Sequence, residues 1–374
     1  MKSTQPYHRT HVSDIFSKQG RRFLRIQRGF TILELIIAIA IATFLVITLL
    51  GVFTMHARDL KKQDMKAEIN QNGRFALEIL SRSIRMAGFG SSSGVYYGVL
   101  GYGGSGNSLP AVISYDGTST NGQDVITVAY MEPSLVMNTS YSTIESCTTS
   151  SITFNPSFLD YGNRLRQFKS GDLLMCQDYA TIGSPESYLW SITSDATSSS
   201  PFGTVYVDSS ASSLSDFSAV CSSSQNLTPV MRCSKGQVIT FYIDDKYEGI
   251  GPGSDKHPVL MMDLNNNYPN NDDIPLVDNV EDIQFEYCVD DGTDTTNCNQ
   301  LNKWTNSFTP SSIINLWGVR ISLVLRSDKP FYETDFGQRP KVANHSAASS
   351  NDKYFRTVVS TEVAVRNLRL LSSD

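Results

Sequence analysis

Proline is absent between Pro6 and Pro110, so no residue of the helix-breaking kind interrupts that part of the chain. Charged residues make up only 18% of the 374 residues and hydrophobic residues 40%, which excludes a broadly disordered or collagen-like protein. The formal net charge of −6 argues against direct binding of nucleic acid. No Cys-x-x-Cys motif occurs, and after residue 29 the only histidines are His56, His257 and His345. The sequence therefore predicts no metal site and no cofactor.

Acidic residues are scarce in residues 1–29, where Asp14 is the single acid beside seven Lys or Arg. The rest of the chain carries more acidic than basic residues. A basic N-terminal segment ahead of an acidic body is typical of a targeting signal. We therefore expect residues 1–29 to be a basic leader that stays in the cytoplasm.

The next segment, residues 30–55, is apolar over 26 residues and contains one charge, Glu34. At about 1.5 Å per residue, a helix of this length exceeds the ~30 Å hydrocarbon core of a bilayer. The apolar region of a cleaved secretory signal is shorter, and a buried core helix seldom runs this far without polar residues. We therefore predict a retained span that contacts the lipid bilayer, with the basic flank in the cytoplasm.

Glu34 does not fit a plain membrane anchor, because a carboxylate at the bilayer centre costs about 2.5–3.5 kcal/mol. Ionisable groups within membrane segments are usually functional and usually have a partner. The alternative interpretation is that Glu34 lies at headgroup depth and is solvated there.

The string from Arg28 to Leu35, RGFTILEL, resembles the class III (N-methylphenylalanine) prepilin signal of type IV pilins. The resemblance implies that prepilin peptidase removes residues 1–29 by cleavage between Gly29 and Phe30 and then methylates the Phe30 amine. It also implies that Glu34 is an assembly residue. Its carboxylate would be stabilised in the filament core by the α-amine of a neighbouring subunit, which would set the register of the fibre.

Beyond the span, apolar residues recur at steps of three or four, or multiples of these, with charged residues between them. We predict one helix from Phe30 to about Ala87, with Gly88 as its C-terminal cap. Its second half, residues 56–88, is amphipathic and would pack on a globular head, residues 89–374. The apolar set is Leu60, Met65, Ile69, Phe75, Ala76, Ile79, Leu80 and Ile84.

The head is rich in Gly, Ser, Thr and Asn and contains short alternating segments without helical patterns between them. These segments predict a largely antiparallel sheet, so the fold class is α+β: a long N-terminal helix packed on a β-rich, pilin-like head. Two Ser-rich stretches, 194–200 and 209–225, are predicted to be exposed loops, and residues 338–353 a flexible excursion. Strands are predicted near 111–115, 124–130, 172–176, 188–193, 204–208, 237–243, 283–289, 319–326 and 359–366.

The end of the helix and the last hundred residues resemble the PilW family of minor pilins, whereas the Ser/Gly-rich middle, about 95–235, has no such likeness. The resemblance implies a non-enzymatic subunit of the type IV pilus that acts in a priming or tip complex of pilus biogenesis. Adhesion, twitching motility or DNA uptake would depend on that complex. The segments that carry the resemblance are 72–78, 84–89, 275–285, 317–323 and 365–368.

The implied partners are prepilin peptidase, other minor pilins, the major pilin and the inner-membrane pilus assembly machinery. The subunit would cross the inner membrane once, hold its head in the periplasm and later reach the pilus and the cell surface. Three alternatives stay open: a minor pseudopilin of type II secretion, a membrane-anchored extracytoplasmic adhesin, and an anchored hydrolase. The hydrolase would require an acid/base pair in a pocket, and the sequence offers no motif for one.

All six cysteines fall in the part that would be exported, where an even count favours disulfides. Six cysteines allow 15 connectivities. The two short separations favour the pairs Cys221–Cys233 and Cys288–Cys298, which leaves Cys147 with Cys176.

Two glycine motifs and the acidic loops are not interpreted as sites. The GxGxxG match at 101–106 lacks the strand and helix that a dinucleotide site requires, and the GxSxG match at 90–94 follows a helix end. Acidic residues at 272–273 and 290–294 could hold Ca²⁺, but they lack the EF-hand ligand series and are better interpreted as solvated loops.

Overall fold

The chain is described by a computed structural model. The residues that the structure describes are 30–91, 93–97, 108–117, 122–133, 144–148, 150–154, 165–178, 187–199, 202–207, 231–248, 256–264, 273–289, 304–308, 315–332, 334–335 and 337–369. Several predictions lie outside them: the leader 1–29, the loop 209–225, the motif at 101–106 and the acidic residues 272 and 290–294.

A single helix, α1 (Ile32–Met86), occupies 55 residues, as the absence of proline predicts. It divides between two compact units, residues 1–60 and residues 61–374. At the C-terminal end of α1 the backbone of Gly88 takes φ +76°, a conformation that favours glycine. The Asn367 side-chain amide lies there too, with its Nδ2 3.2–3.3 Å from the carbonyl oxygens of residues 85–87, which have no partner within the helix.

In the rest of the described chain, the regular elements are sixteen strands and a short C-terminal helix. The strands are β1 (Val95–Tyr97), β2 (Ser108–Pro110), β3 (Val112–Tyr115), β4 (Val125–Met131), β5 (Ile144–Cys147), β6 (Ser151–Phe154), β7 (Leu173–Asp178), β8 (Ser187–Ser199), β9 (Phe202–Val207), β10 (Met231–Tyr247), β11 (His257–Leu264), β12 (Ile274–Asp278), β13 (Val280–Val289), β14 (Trp304–Thr305), β15 (Leu316–Arg326) and β16 (Arg356–Ala364); the helix is α2 (Arg366–Arg369).

The strands form two sheets. The larger has the order β12-β11-β10-β7-β8-β9-β6-β5, with β4 also paired to β10, and the smaller has the order β14-β13-β15-β16. The pairings are antiparallel except for one contact between β1 and β8, where Tyr97 lies beside Tyr188. The long helix and largely antiparallel body confirm the predicted α+β class.

The first hydrophobic core joins one face of the second half of α1 to both sheets. Ile69, Ala76, Leu80 and Ile84 are all buried in it, which confirms this part of the predicted apolar stripe as the packing face. Leu60 and Phe75 of the predicted stripe are exposed instead, 61% and 52%. Gly73 belongs to the same face. A Cβ added there would lie 3.1 Å from atoms of Leu325 and Val359, so glycine lets the helix approach β15 and β16 closely.

A second core lies on the other face of the large sheet. Along β7, Leu173 and Met175 are buried in the first core, whereas Leu174 and Cys176 are buried in the second. Because successive side chains of a strand point to opposite faces, β7 is covered on both sides. The second core is closed by strands β6, β8 and β9; its largest members are Tyr188, Trp190, Phe154 and Phe168.

All nine predicted strand segments are present, although most are longer than expected. The strands without a predicted counterpart are β1, β2, β5, β6, β11, β12 and β14. The predicted loop at 194–200 is wrong up to residue 199, because β8 continues through these serines and pairs Thr197 with Thr204 of β9. Pairing with a neighbouring strand outweighs the weak local preference of serine for loops.

Candidate filament-assembly site and the contacts that hold the head

The N-terminus of α1 is closed by a reciprocal pair of contacts between Thr31 and Glu34. Glu34 Oε2 accepts hydrogen bonds from the Thr31 backbone N–H at 3.0 Å and from its hydroxyl at 3.1 Å, while the Glu34 N–H donates to Thr31 Oγ1 at 3.3 Å. This arrangement is a capping box, with Thr31 before the first helical residue and Glu34 as the third. The carboxylate therefore has polar partners within its own chain.

The apolar residues that follow this cap are exposed along all sides of the helix. Phe30 is 85% exposed and Leu49 71%, and no residue of the most apolar 18-residue window is buried within the structure. An uninterrupted exposed apolar helix requires lipid or another apolar helix around it. Among the described residues, α1 is the one helix long and apolar enough to cross a membrane.

The predicted processing site is only half described, since Phe30 lies at the exposed start of α1 and Gly29 lies outside the described residues. The structure brings Glu34 to Thr31, the second residue of the predicted mature chain, as shown above. A capping box is readable from the Thr31-Ile-Leu-Glu34 spacing, although it is not among the features predicted above from the sequence.

The disulfide pairing differs from the prediction. Cys176 and Cys233 are bonded to each other, so the predicted pairs Cys147–Cys176 and Cys221–Cys233 are wrong. Cys176 of β7 lies directly opposite Cys233 of β10, with 4.0 Å between their Cα atoms. The pairing of the two strands, and not the short separation between Cys221 and Cys233 along the chain, therefore decides the partner of Cys233.

The other predicted disulfide, Cys288–Cys298, stays a prediction. Cys288 is disulfide-bonded, and Cys298 lies outside the described residues. Cys221 and the side chain of Cys147 also lie outside them.

A buried carboxylate that the sequence analysis did not single out joins the two sheets. Asp124, just before β4, accepts hydrogen bonds from the backbone N–H of Phe285 in β13 at 2.8 Å and from that of Gly117 at 2.9 Å. Burial raises the pKa of Asp124 to about 7, and the nearby Asp116 and Asp282 add to the rise, against the lowering effect of the two hydrogen bonds.

A second buried carboxylate, Asp282 of β13, holds residues 337–352, a segment we call the strap. Its Oδ2 lies 2.8 Å from Arg339 Nη1 and 2.8 Å from His345 Nδ1. Arg339 Nη2 lies 2.9 Å from His345 Nε2, which fits an imidazole that donates from Nδ1 and accepts at Nε2. The predicted flexible excursion is therefore attached to the sheet by buried polar contacts.

The end of the strap is held by Arg356, whose side chain is only 6% exposed. Its guanidinium donates to Glu281 Oε1 at 2.9 Å and to Asp352 Oδ1 at 2.6 Å. A guanidinium between two carboxylates satisfies its donors in the fork geometry that arginine favours. Arg356 thereby links β13, β16 and the strap.

The outer face of the smaller sheet carries a row of alternating charges, which we call the charge ladder. Glu286 of β13, Arg320 of β15 and Glu362 of β16 lie directly opposite one another on adjacent strands. Arg320 donates to Glu286 at 3.2 Å and to Glu362 at 3.0 Å, and its guanidinium stacks 4.2 Å from the Trp304 ring centroid. Glu362 occupies the outermost place, with its side chain 57% exposed.

An apolar N-terminal helix half joined to an amphipathic half on an antiparallel sheet is the architecture expected of a type IV pilin. Residues 24–50 match the model of the prokaryotic N-terminal methylation motif, and residues 240–367 match the model of the type IV pilus-assembly protein W family. The two matches support a PilW-family type IV pilin with a class III prepilin signal, and pilin-family domains are structural, not enzymatic. No curated protein and no solved structure matches the chain.

The second match covers the last eight residues of β10 and all of β11–β16, and so contains Asp282, the strap, Arg356 and the charge ladder. The strands that close the second core, β6, β8 and β9, lie between residues 151 and 207, outside both matches. The prepilin signal and apolar helix are those of a membrane-anchored pilin.

Proposed function

We propose that this subunit is processed between Gly29 and Phe30 by prepilin peptidase, which also methylates the Phe30 amine. The match to the N-terminal methylation motif supports this proposal, since residues 24–50 include both positions. The mature chain then consists of an apolar half-helix, 30–55, an amphipathic half-helix, 56–88, and a head, 89–374. Before assembly it crosses the inner membrane once and holds the head in the periplasm.

The role we propose for Glu34 is recognition of the α-amine of a neighbouring subunit during filament assembly. The carboxylate lies in the first turn of α1, and its local partner is the Thr31 cap. Within an apolar filament core a carboxylate requires a charged or hydrogen-bonding partner. Exchange of the local cap for a charge-assisted contact to a second chain gives each subunit one favoured register.

The second core supports a place in a priming or tip complex. It adds a layer of strands to the sheet face opposite that of the first core, in a region outside the family match. Extra bulk on a pilin head hinders close helical stacking along a shaft and is tolerated at a filament end. There the subunit meets other minor pilins, the major pilin and the assembly machinery, and it supports adhesion, twitching motility or DNA uptake without catalysis.

The observation that carries the proposal is the exposed apolar half-helix that begins at the Thr31–Glu34 cap. Its first test is mass spectrometry of the N-terminus of the native protein from membranes and from sheared pili. A peptide that begins with N-methylated Phe30 is expected in both fractions. An intact leader in both fractions would overturn the processing, and absence from the pili would overturn the place in the filament.

The location within the filament is tested separately by gold labelling of a head epitope. Label at filament ends supports the tip, and label spread along the shaft contradicts it. A Gly29→Trp variant serves as the processing control, because a bulky residue before the cleavage site should leave the leader attached and keep the protein in the membrane.

A further inference from the structure

Strand β16 forms an open edge of the smaller sheet. On one side it pairs with β15 over nine consecutive residue pairs, from Gly318–Ala364 to Arg326–Arg356, without a bulge or register shift. On its other side no strand pairs with it within the described part of the chain. The backbone N–H and C=O groups of alternate residues therefore point away from the sheet in a regular row.

Three devices that usually protect such an edge, a proline, a lysine and a bulge, are missing from β16, and its one exposed charge is Glu362. The strand reads RTVVSTEVA and contains neither proline nor lysine, and its pairing with β15 is regular throughout. Val358 is 44% exposed on the outer face, and Ser360 and Ala364 are also exposed there. A long, regular edge rich in β-branched residues is a template for the addition of another strand.

The charge ladder indicates what such a strand carries. Two carboxylates, Glu286 and Glu362, share one guanidinium, that of Arg320, so the row runs negative, positive, negative towards the open edge. Opposite charges on directly paired residues stabilise a sheet, and like charges destabilise it. The position next to Glu362 on an added strand therefore favours Lys or Arg.

We propose that β16 is a docking edge for an extended segment of a different protein, which adds to the sheet as a fifth strand and places a basic side chain opposite Glu362. Residues two positions before and after that basic side chain lie opposite Ser360 and Ala364, so small or β-branched side chains fit there. The inference rests on the sheet edge alone and does not depend on a place at the pilus tip.

A second copy of this chain fits the edge less well. The one basic residue of β16 is Arg356, and its guanidinium is buried between Glu281 and Asp352. An antiparallel pair of β16 strands would therefore add no free basic side chain beside either Glu362, which would keep only Arg320 of its own chain. The edge therefore favours a partner of another sequence.

The test uses the full-length protein in detergent and a blocked nonapeptide of alternating valine and threonine with a central lysine. Binding is measured by fluorescence anisotropy at low salt, against the same peptide with a central glutamate. We expect the lysine peptide to bind about threefold to tenfold more tightly, in line with cross-strand charge pairs. Glu362→Lys should reverse the preference, and Glu362→Gln should reduce it towards equality.

Backbone pairing is tested without changing the protein. Two further lysine peptides carry backbone N-methyl groups on alternate residues. One peptide is methylated on the odd-numbered residues and the other on the even-numbered residues. A strand that adds to an edge loses binding when the set facing β16 is methylated and keeps it when the other set is methylated. Absence of binding at millimolar peptide, equal effects of both methylated peptides, or no response to Glu362→Lys would each overturn the proposal. A dimer that excludes the peptide would also overturn it and would assign the edge to a second copy.

Discussion

Cys176 and Cys233 lie directly opposite each other on β7 and β10 and are joined by a disulfide, although 57 positions separate them in the sequence. The bond lies in the second core, where both side chains are buried beside Tyr188 and Trp190. The disulfide therefore fixes β7, which supports the second core, to β10, whose last eight residues belong to the region that matches the family model. The two cores share strands β7, β8 and β10.

Removal of this disulfide should destabilise the head. Cys176→Ala with Cys233→Ala should lower the free energy of unfolding by about 4 kcal/mol, because a cross-link across a loop of this length restricts the unfolded chain. Chemical denaturation of the double variant and the wild type measures the difference. A non-reducing peptide map provides the independent check, since a linked peptide pair with Cys147 and Cys176 would contradict the structure.

Changes at the N-terminus of α1 should separate the local role of Glu34 from its proposed role in assembly. Glu34→Ala is expected to be processed normally and to abolish incorporation into pili, because the neighbouring amine loses its carboxylate. Glu34→Gln keeps a cap acceptor without the charge and should fail as well. Immunoblots of membranes and sheared pili measure both outcomes.

The matched control for that experiment is Thr31→Val, which removes the hydroxyl of the cap and leaves the carboxylate. It should weaken the helix end by about 0.5–2 kcal/mol and still enter filaments. Normal piliation with incorporated Glu34→Gln would show that the charge of Glu34 is not what assembly requires.

Loss of Arg339 should release the strap and destabilise the head. Arg339→Met leaves Asp282, whose side chain is fully buried, without its guanidinium, and breaking such a pair costs about 3–5 kcal/mol. Hydrogen exchange should then quicken across residues 337–352. Lys169→Ala is the control, because its ion pair with Asp195 is exposed and screened by solvent on both sides and should contribute little to stability. Equal effects of the two substitutions would contradict the role of Asp282.

The buried Asp124 should make stability depend on pH near neutrality. Its pKa in the folded chain is about 7, well above the value of about 3.9 for an exposed aspartate, so the folded state binds this proton more tightly. The stabilisation from the protonated form is complete below about pH 4 and is lost as the pH rises through about 7.

Asp124→Asn carries no charge at any of these pH values and serves as the reference. Thermal unfolding of both proteins from pH 5 to pH 8 should show the advantage of the wild type shrinking as the pH rises. Titrating groups remote from Asp124 are common to both proteins and cancel in the difference. A constant or growing difference would contradict the buried site of Asp124.

Local patterns in the sequence determined the helix, the span and most of the strands. The lack of proline, the apolar run of 30–55 and the three- to four-residue spacing beyond it are properties of neighbouring residues, and each has one favoured structure. The nine predicted strands also follow local alternation, which is strong where one face of a strand is buried. The prepilin signal is contiguous, so its resemblance was readable without any structure.

Only the tertiary structure decided which strands are neighbours and which buried groups meet. The pairing of Cys176 with Cys233, the contacts of Asp282 with the strap and the charge ladder ending at Glu362 join residues that lie far apart in sequence. Such contacts depend on strand order and register, and the entropy of closing a loop grows only slowly with its length. The short separation of Cys221 and Cys233 was therefore a poor guide to the partner of Cys233, and the open edge at β16 became visible only once the sheet order was known.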